Sequence, residues 1–141
     1  MRLTMQTDFA LRTLMVLATH LERATVAQVA ELFGISSSHV AKAVNQLARL
    51  GYVRSVRGIG GGIELAKKPE EIRLGEVIED LEGNLHLLEC VATENVCAIQ
   101  PFCKLKGVLQ QAERIQLDFL NAVTLRDVCP TPRQLAGIEK T

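Results

Sequence analysis

The sequence predicts a mainly α-helical chain with one small β-hairpin, a winged helix-turn-helix followed by a long dimerisation helix. Three observations carry that expectation. Two short amphipathic segments meet at Gly34, a basic hairpin pattern with a glycine tip follows, and a long apolar helical pattern runs from Cys103 to about Val123. The 141 residues suit one domain, or one small domain with an appendage. We divide them into a winged helix-turn-helix region over 1–68, a connecting helix and cysteine loop over 69–103, and a dimerisation helix with its tail over 104–141.

Taken in order, the first helix is expected over Asp8–His20, because Leu11, Leu14, Met15, Ala18 and Leu21 recur at helical spacing. Thr7 or Asp8 would cap it by accepting first-turn amides. Thr25-Val26-Ala27-Gln28 reads as a capping box. It opens a short helix with Val26, Val29, Ala30 and Phe33 inward, stopped at Gly34. One of Ser36, Ser37 or Ser38 caps the next helix, which runs from about Ser38 to Leu50 with Val40, Ala43, Val44, Leu47 and Leu50 on one stripe. Gly51 stops it. Ala30 allows close approach of the pair, and Gly34 accepts the left-handed turn.

Residues 52–57 then alternate as a strand, 58–62 form a glycine-rich turn, and 63–66 return. No helix follows these glycines, which excludes a dinucleotide-binding fingerprint. Beyond Pro69, Ile72, Leu74, Val77, Ile78 and Leu81 support a helix ending at Gly83. Periodicity weakens between about Asn84 and Pro101. The last long helix is apolar over much of its circumference, through Leu105, Val108, Leu109, Ala112, Ile115, Leu117, Phe119 and Leu120. A small domain cannot bury such a helix alone, which predicts a homodimer with this helix at the interface. Thr124-Leu125-Arg126-Asp127 reads as a capped turn, and the tail after Cys129-Pro130 is expected to fray.

The formal net charge of zero conceals a split. Residues 1–68 hold nine Lys and Arg against four Asp and Glu, a balance of +5, and residues 69–141 hold seven against twelve, a balance of −5. A basic half suits a polyanion. Ser37, Ser38, His39 and Lys42 stand at the start of the recognition helix as candidate base or phosphate contacts, and Arg54, Arg57, Gly60 and Gly61 on the wing as contacts to the backbone or minor groove. No apolar run approaches the ~18 residues of a membrane span, and Arg2 and Asp8 come too early for a signal peptide, so a cytoplasmic location is expected.

In that compartment the four cysteines are expected to bind metal or act in redox chemistry rather than pair as disulfides. Cys90, Cys97 and Cys103 fall within fourteen residues, in the least periodic stretch. Their spacing is not that of a zinc ribbon. Three thiolates suit an iron–sulfur cluster, zinc with one further ligand, redox thiols, or inert buried cysteines. Cys129 stands apart. Of the histidines, only His86 lies where a ligand is needed; His20 ends a helix. No nucleophile has a base at recognisable spacing, and Glu70-Glu71 suit a helix N-terminus, so an enzyme is not expected.

The chain resembles, over about residues 1–125, the dimeric winged-helix iron–sulfur regulators of the IscR and NsrR family. The likeness rests on Met1-Arg2-Leu3-Thr4 and Thr7-Asp8-Phe9-Ala10-Leu11-Arg12, on Gly34-Ile35-Ser36, and on Asn45-Gln46-Leu47 with Leu50-Gly51-Tyr52-Val53. The wing Val56-Arg57-Gly58 with Gly61-Gly62-Ile63, and three cysteines before a long helix, complete it. The opening and the wing are most similar to the family's nitric-oxide-sensing repressors. The resemblance implies a homodimeric repressor on a palindromic double-stranded operator. It implies an iron–sulfur cluster, [4Fe-4S] favoured over [2Fe-2S], on Cys90, Cys97 and Cys103, with nitric oxide as effector. Where some members have a fourth-ligand histidine, three positions after the third cysteine, this chain has Lys106. In members with a four-iron cluster the fourth ligand is an aspartate in the first helix, similar to Asp8, from the partner subunit; the other reading of Asp8 is the helix cap. A cluster-occupancy, iron or redox sensor of the same fold, or a zinc-stabilised regulator, are the alternatives.

Overall fold

The computed structural model describes residues 2–20 and 22–139. Leu21, expected on the stripe of the first helix, lies outside the described residues. Helix α1 spans Met5–His20 and begins three residues earlier than expected. Thr4 is the reason: its hydroxyl accepts from the Thr7 amide at 3.3 Å, and its carbonyl from the Asp8 amide at 3.1 Å. Thr7 and Asp8 are therefore inside the helix, and neither is its cap. Ala10, Leu14, Leu17 and Ala18 form the buried face of α1.

The helix-turn-helix is α2, Val26–Phe33, and α3, Ser37–Arg49. The Thr25 capping box forms in both directions, with the Gln28 amide to Thr25 Oγ1 at 3.1 Å and the Thr25 amide to Gln28 Oε1 at 2.8 Å. Gly34, at φ 64°, ends α2 in the left-handed region. Ser36 caps α3 by accepting from the His39 amide at 3.2 Å, so α3 begins at Ser37. Val40, Ala43, Val44 and Leu47 face the core as expected.

The wing is shorter than its pattern suggested: β1, Val53–Val56, pairs antiparallel with β2, Gly62–Leu65, in the register Arg54↔Glu64. Tyr52 is already buried and belongs to the junction with α3. A two-way backbone bridge joins Ile63 to Ala24, at 2.8 and 3.0 Å, and fixes the wing to the segment before α2.

Pro69–Glu71 make one 3-10 turn, and α4 occupies Leu74–Glu82. Ile72, expected within that helix, lies just before it in extended backbone and is fully buried. Its carbonyl accepts from the Leu125 amide at 2.8 Å, and the Leu74 amide bonds Val123 O at 3.0 Å. Helix α5, Glu89–Ala92, is a single turn inside the cysteine loop. Helix α6 is Lys104–Asn121 and has no buried residue. Leu105, Val108, Ile115 and Phe119 remain 57–69% exposed. Helix α4 meets α6 closely at Gly75, where a Cβ would stand 2.1 Å from Asn121 Oδ1 and 2.9 Å from the Asn121 amide nitrogen.

The tail does not fray. After α7, Leu125–Val128, the chain forms α8, Pro132–Glu139. Thr131 and Gln134 make a reciprocal capping box at 3.2 and 2.8 Å, and Leu135 is buried against the main core. Thr19 Oγ1 donates to Pro130 O at 2.9 Å. One apolar cluster thus joins α1, α2, α3 and the wing to Ile72, Val77, Leu125 and Leu135. Among the described residues no helix is long and apolar enough to cross a membrane.

Candidate functional site

The amphipathic α3 turns Ser38, Lys42, Asn45 and Arg49 outward on one stripe, at i, i+4, i+7 and i+11. Ser38, Lys42 and the exposed Ser37 were expected there; Asn45 and Arg49 were missed, although the same spacing extended along the helix reaches them. Ser38 shares a 2.8 Å hydroxyl–hydroxyl bond with Ser36. His39 is exposed but committed on one side, its ring stacked on Phe9 with centroids 5.9 Å apart.

On the wing, Arg54 Nε donates to Glu64 Oε1 at 2.7 Å and Arg23 Nε to Glu64 Oε2 at 3.0 Å. These two bonds, Arg54 first, hold the Glu64 carboxyl below its usual value. Arg54 is therefore half-neutralised where it stands. Arg57 has no ion-pair partner among the described residues and is exposed at the start of the tip. The tip is a tight turn closed by the Gly61 amide on Gly58 O at 3.0 Å, with Gly60 at φ 74°. A Cβ on Gly61 would lie 2.4 Å from Val56 O. Gly60 and Gly61 shape the turn through their missing side chains.

The cysteine loop is built around Gln100. This side chain is only 7% exposed; its Nε2 donates to Cys90 O at 2.9 Å and Thr93 O at 2.5 Å, and its Oε1 accepts from the Val96 amide at 3.0 Å. The backbone is thereby pinned from within, as buried polar groups require. Cys90 lies on α5, Cys97 is exposed at the loop surface, and Cys103 occupies the N-cap position of α6 without making a cap bond. All three are free thiols. Among the described residues no three His, Cys, Asp or Glu side chains already stand together as a metal site. The donor chemistry nonetheless fits a thiolate-bound cluster: three soft ligands without competing hydrogen bonds, on a segment that folds back on itself. Lys106 pairs with Glu94 at 3.2 Å.

Asp8 is held by Arg12 in a fork, Nε to Oδ1 at 2.9 Å and Nη2 to Oδ2 at 2.8 Å. The Arg12 guanidinium also lies over the rings of Phe33, at 5.5 Å, and Phe9, at 6.0 Å. His86 Nδ1 lies 3.1 Å from Glu113 Oε2 on α6, and the Leu87 amide donates to Glu113 Oε1 at 2.6 Å. That contact fastens the start of the loop to α6. Cys129 packs against the main core and donates to Arg126 O at 3.4 Å.

Helix α4 ties the loop half to the head. Tyr52 donates its hydroxyl to Asp80 Oδ2 at 2.6 Å, and burial together with that carboxylate pushes the phenol well above its usual value. Gln46 of α3 donates to Leu81 O at 3.3 Å and accepts from Gln6 of α1. The Thr4 amide donates to Glu82 Oε1 at 2.7 Å. Partial burial works to raise Glu82, but the bonds from Thr4 and Thr7 outweigh it and keep the carboxyl below its usual value.

Comparison with known proteins places this architecture. A family model described as Rrf2, iron-dependent transcriptional regulator, matches residues 3–131. The chain is 43% identical over 143 residues to the HTH-type transcriptional regulator NsrR of Bacillus subtilis (strain 168), covering 99% of this chain and 98% of that one. It is 43% identical over 131 residues to NsrR of Shouchella clausii, covering 91% and 88%. Among solved structures, T. potens IscR matches with a TM-score of 0.72 at 25% identity, covering 90% of this chain and 85% of that one. CymR, the global cysteine regulator of B. subtilis, matches with a TM-score of 0.76 at 21% identity, covering 92% and 96%. The likeness to CymR is one of fold.

Proposed function

The chain belongs to the Rrf2 family of transcriptional regulators, and from that premise we propose a cytoplasmic, homodimeric repressor whose hold on a palindromic operator is set by an iron–sulfur cluster sensitive to nitric oxide. That it is a DNA-binding regulator of this type, and not an enzyme, follows from the relatives. The cluster, the effector and the residue roles are our reading. The observation that carries it is the loop of Cys90, Cys97 and Cys103, three unengaged thiols on a segment packed against α6, which itself packs on α4, and α4 accepts a hydrogen bond at Leu81 O from Gln46 of the recognition helix.

In this reading the three thiolates hold the cluster, [4Fe-4S] in preference to [2Fe-2S], and Asp8 of the partner subunit supplies the fourth, hard and therefore labile ligand. A cluster bound there would supply iron reactive towards nitric oxide. The chain's own residues do the rest. Arg12 holds the Asp8 carboxylate until it is claimed, an exposed fork whose opening costs about 1 kcal/mol or less. The apolar face of α6 pairs two copies. Gln46 and Tyr52, bonded to α4, keep the recognition helix and wing in fixed relation to the loop, so a change in loop packing alters the spacing of two heads on DNA. A ligand shifts that equilibrium only by its differential affinity for the two arrangements. Residues 1–68 act as the DNA head, with Ser37, Ser38, His39, Lys42, Arg54, Arg57, Gly60 and Gly61 at or shaping the contact surface.

Anaerobically purified protein is expected to be brown and to bleach with nitric oxide. Cys97→Ala removes the colour and Cys129→Ala keeps it. A colourless protein carrying stoichiometric zinc refutes the cluster, and loss of colour in Cys129→Ala refutes the ligand set.

A further inference from the structure

Ile59 is the most exposed large apolar side chain among the described residues, at 109% of its reference area, and it sits at the apex of the wing. Its surroundings make this position unusual. Gly58, Gly60, Gly61 and Gly62 flank it, so between Arg57 and Ile63 it is the sole side chain beyond a hydrogen atom. The Gly61 amide closes the turn on Gly58 O at 3.0 Å, and Arg23 Nη1 donates to Gly60 O from outside at 3.4 Å. The result is a slim tip with one branched apolar group at its end and an unpaired Arg57 beside it.

Such a group has no partner on a phosphate backbone. A minor groove, about 6 Å wide, admits a tip made of glycines and gives an apolar side chain the sugar walls and the bare base edges. The two kinds of base pair differ there in one respect that an apolar group can feel. A·T pairs leave the groove floor open, whereas guanine projects its N2 amino group into it. We infer that Ile59 is a specificity-determining residue, entering the minor groove beside the recognition helix's site and selecting A·T over G·C by contact with the groove floor. This rests on the wing meeting the duplex, as proposed above. Arg57 supplies charge for the approach, and Ile59 supplies the choice.

Duplexes selected from a random pool by the full-length, anaerobically purified protein provide the operator. Variants carrying A·T, G·C or inosine·cytosine at the minor-groove positions the wings protect are then titrated. Inosine shows guanine's face in the major groove but lacks the N2 amino group. Wild type is expected to bind A·T and inosine·cytosine alike and G·C about tenfold more weakly. Ile59→Val keeps this preference, while Ile59→Ala binds the A·T operator about tenfold more weakly and loses it. The salt dependence of Ile59→Ala stays that of wild type, because no charge is removed. Inosine·cytosine behaving like G·C, or Ile59→Ala retaining affinity and preference, overturns the inference. If Arg57→Ala also leaves affinity and salt dependence unchanged, the wing does not meet DNA and both readings fall. If only Arg57→Ala weakens binding, the wing reading stands and Ile59 is not its reader.

Discussion

Replacing Gly75 by alanine sets two effects of opposite sign against each other. The substitution stabilises a helix interior by about 1 kcal/mol through backbone entropy, and by less than that at a first-turn position such as Gly75, the second residue of α4. At Gly75, however, the added methyl meets α6: 2.1 Å from Asn121 Oδ1, 2.5 Å from its Cγ and 2.9 Å from its backbone nitrogen. The carboxamide can rotate, but the backbone nitrogen moves only with the C-terminal turn of α6. Arg73 holds that turn by donating to Asn121 O at 2.9 Å. Overpacking of this kind costs about 1–3 kcal/mol. The upper part of that range applies, and the net loss is about 1–2 kcal/mol. For a chain of 141 residues that lowers Tm by about 3–7 °C. Thermal unfolding followed by circular dichroism measures it. Asn121 Oδ1 is buried without a hydrogen-bond partner, so Asn121→Ala by itself is expected to cost little. The double variant should then recover part of the loss, because two of the three close contacts have gone. A rise in Tm for Gly75→Ala would show that α4 and α6 are not in tight apposition.

Three further outcomes are expected. Leu135→Ala should cost about 2–4 kcal/mol in urea unfolding, since the side chain fills the main core at 2% exposure; a change near zero would mean that α8 contributes no core. Arg57→Ala should flatten the slope of log affinity against log salt by about 0.9 per wing, and an unchanged slope would remove this arginine from the phosphates. Glu82 has a folded pKa below its usual 4.5, so its contribution is complete above that value and fades as pH falls through the folded value. The difference in Tm between wild type and Glu82→Gln should accordingly shrink below about pH 4.5, and a difference that grows on acidification would contradict the sign.

The helix-turn-helix was legible because each of its boundaries has a local chemical cause. Thr25 and Gln28 cap reciprocally, Gly34 takes a positive φ, and the α3 stripe follows a single period. Sequence and structure part where a cap lies outside the strongly periodic segments, or where tertiary contacts decide. Thr131 and Gln134 form the same kind of capping box as Thr25 and Gln28, with Pro132 opening a helix too short and polar to show a clear apolar stripe. Asp8 and Arg12 stand four residues apart, a spacing that favours the observed fork over a cap. Ile72 fits a helical stripe in sequence but is claimed by the backbone of Leu125. Gln100 has no sequence signature as the centre of the cysteine loop, because its partners are carbonyls and an amide that only the loop's path brings together. The direction in which the three thiols point depends on that path as well.

The core that Leu125 and Leu135 complete has a bearing on how the chain is made. Thr19 and Pro130, bonded across 111 positions, are among the most separated partners in the molecule. Contacts of such range are slow to form, because loop closure precedes their reward. A nascent chain that has reached the wing can form its helices but lacks Ile72, Leu125 and Leu135, which seal the underside of α1. The recognition helix therefore gains its full support only after the cysteines and α6 have emerged. Synthesis itself thus completes the core beneath the helix-turn-helix only once the cysteine loop and α6 are present.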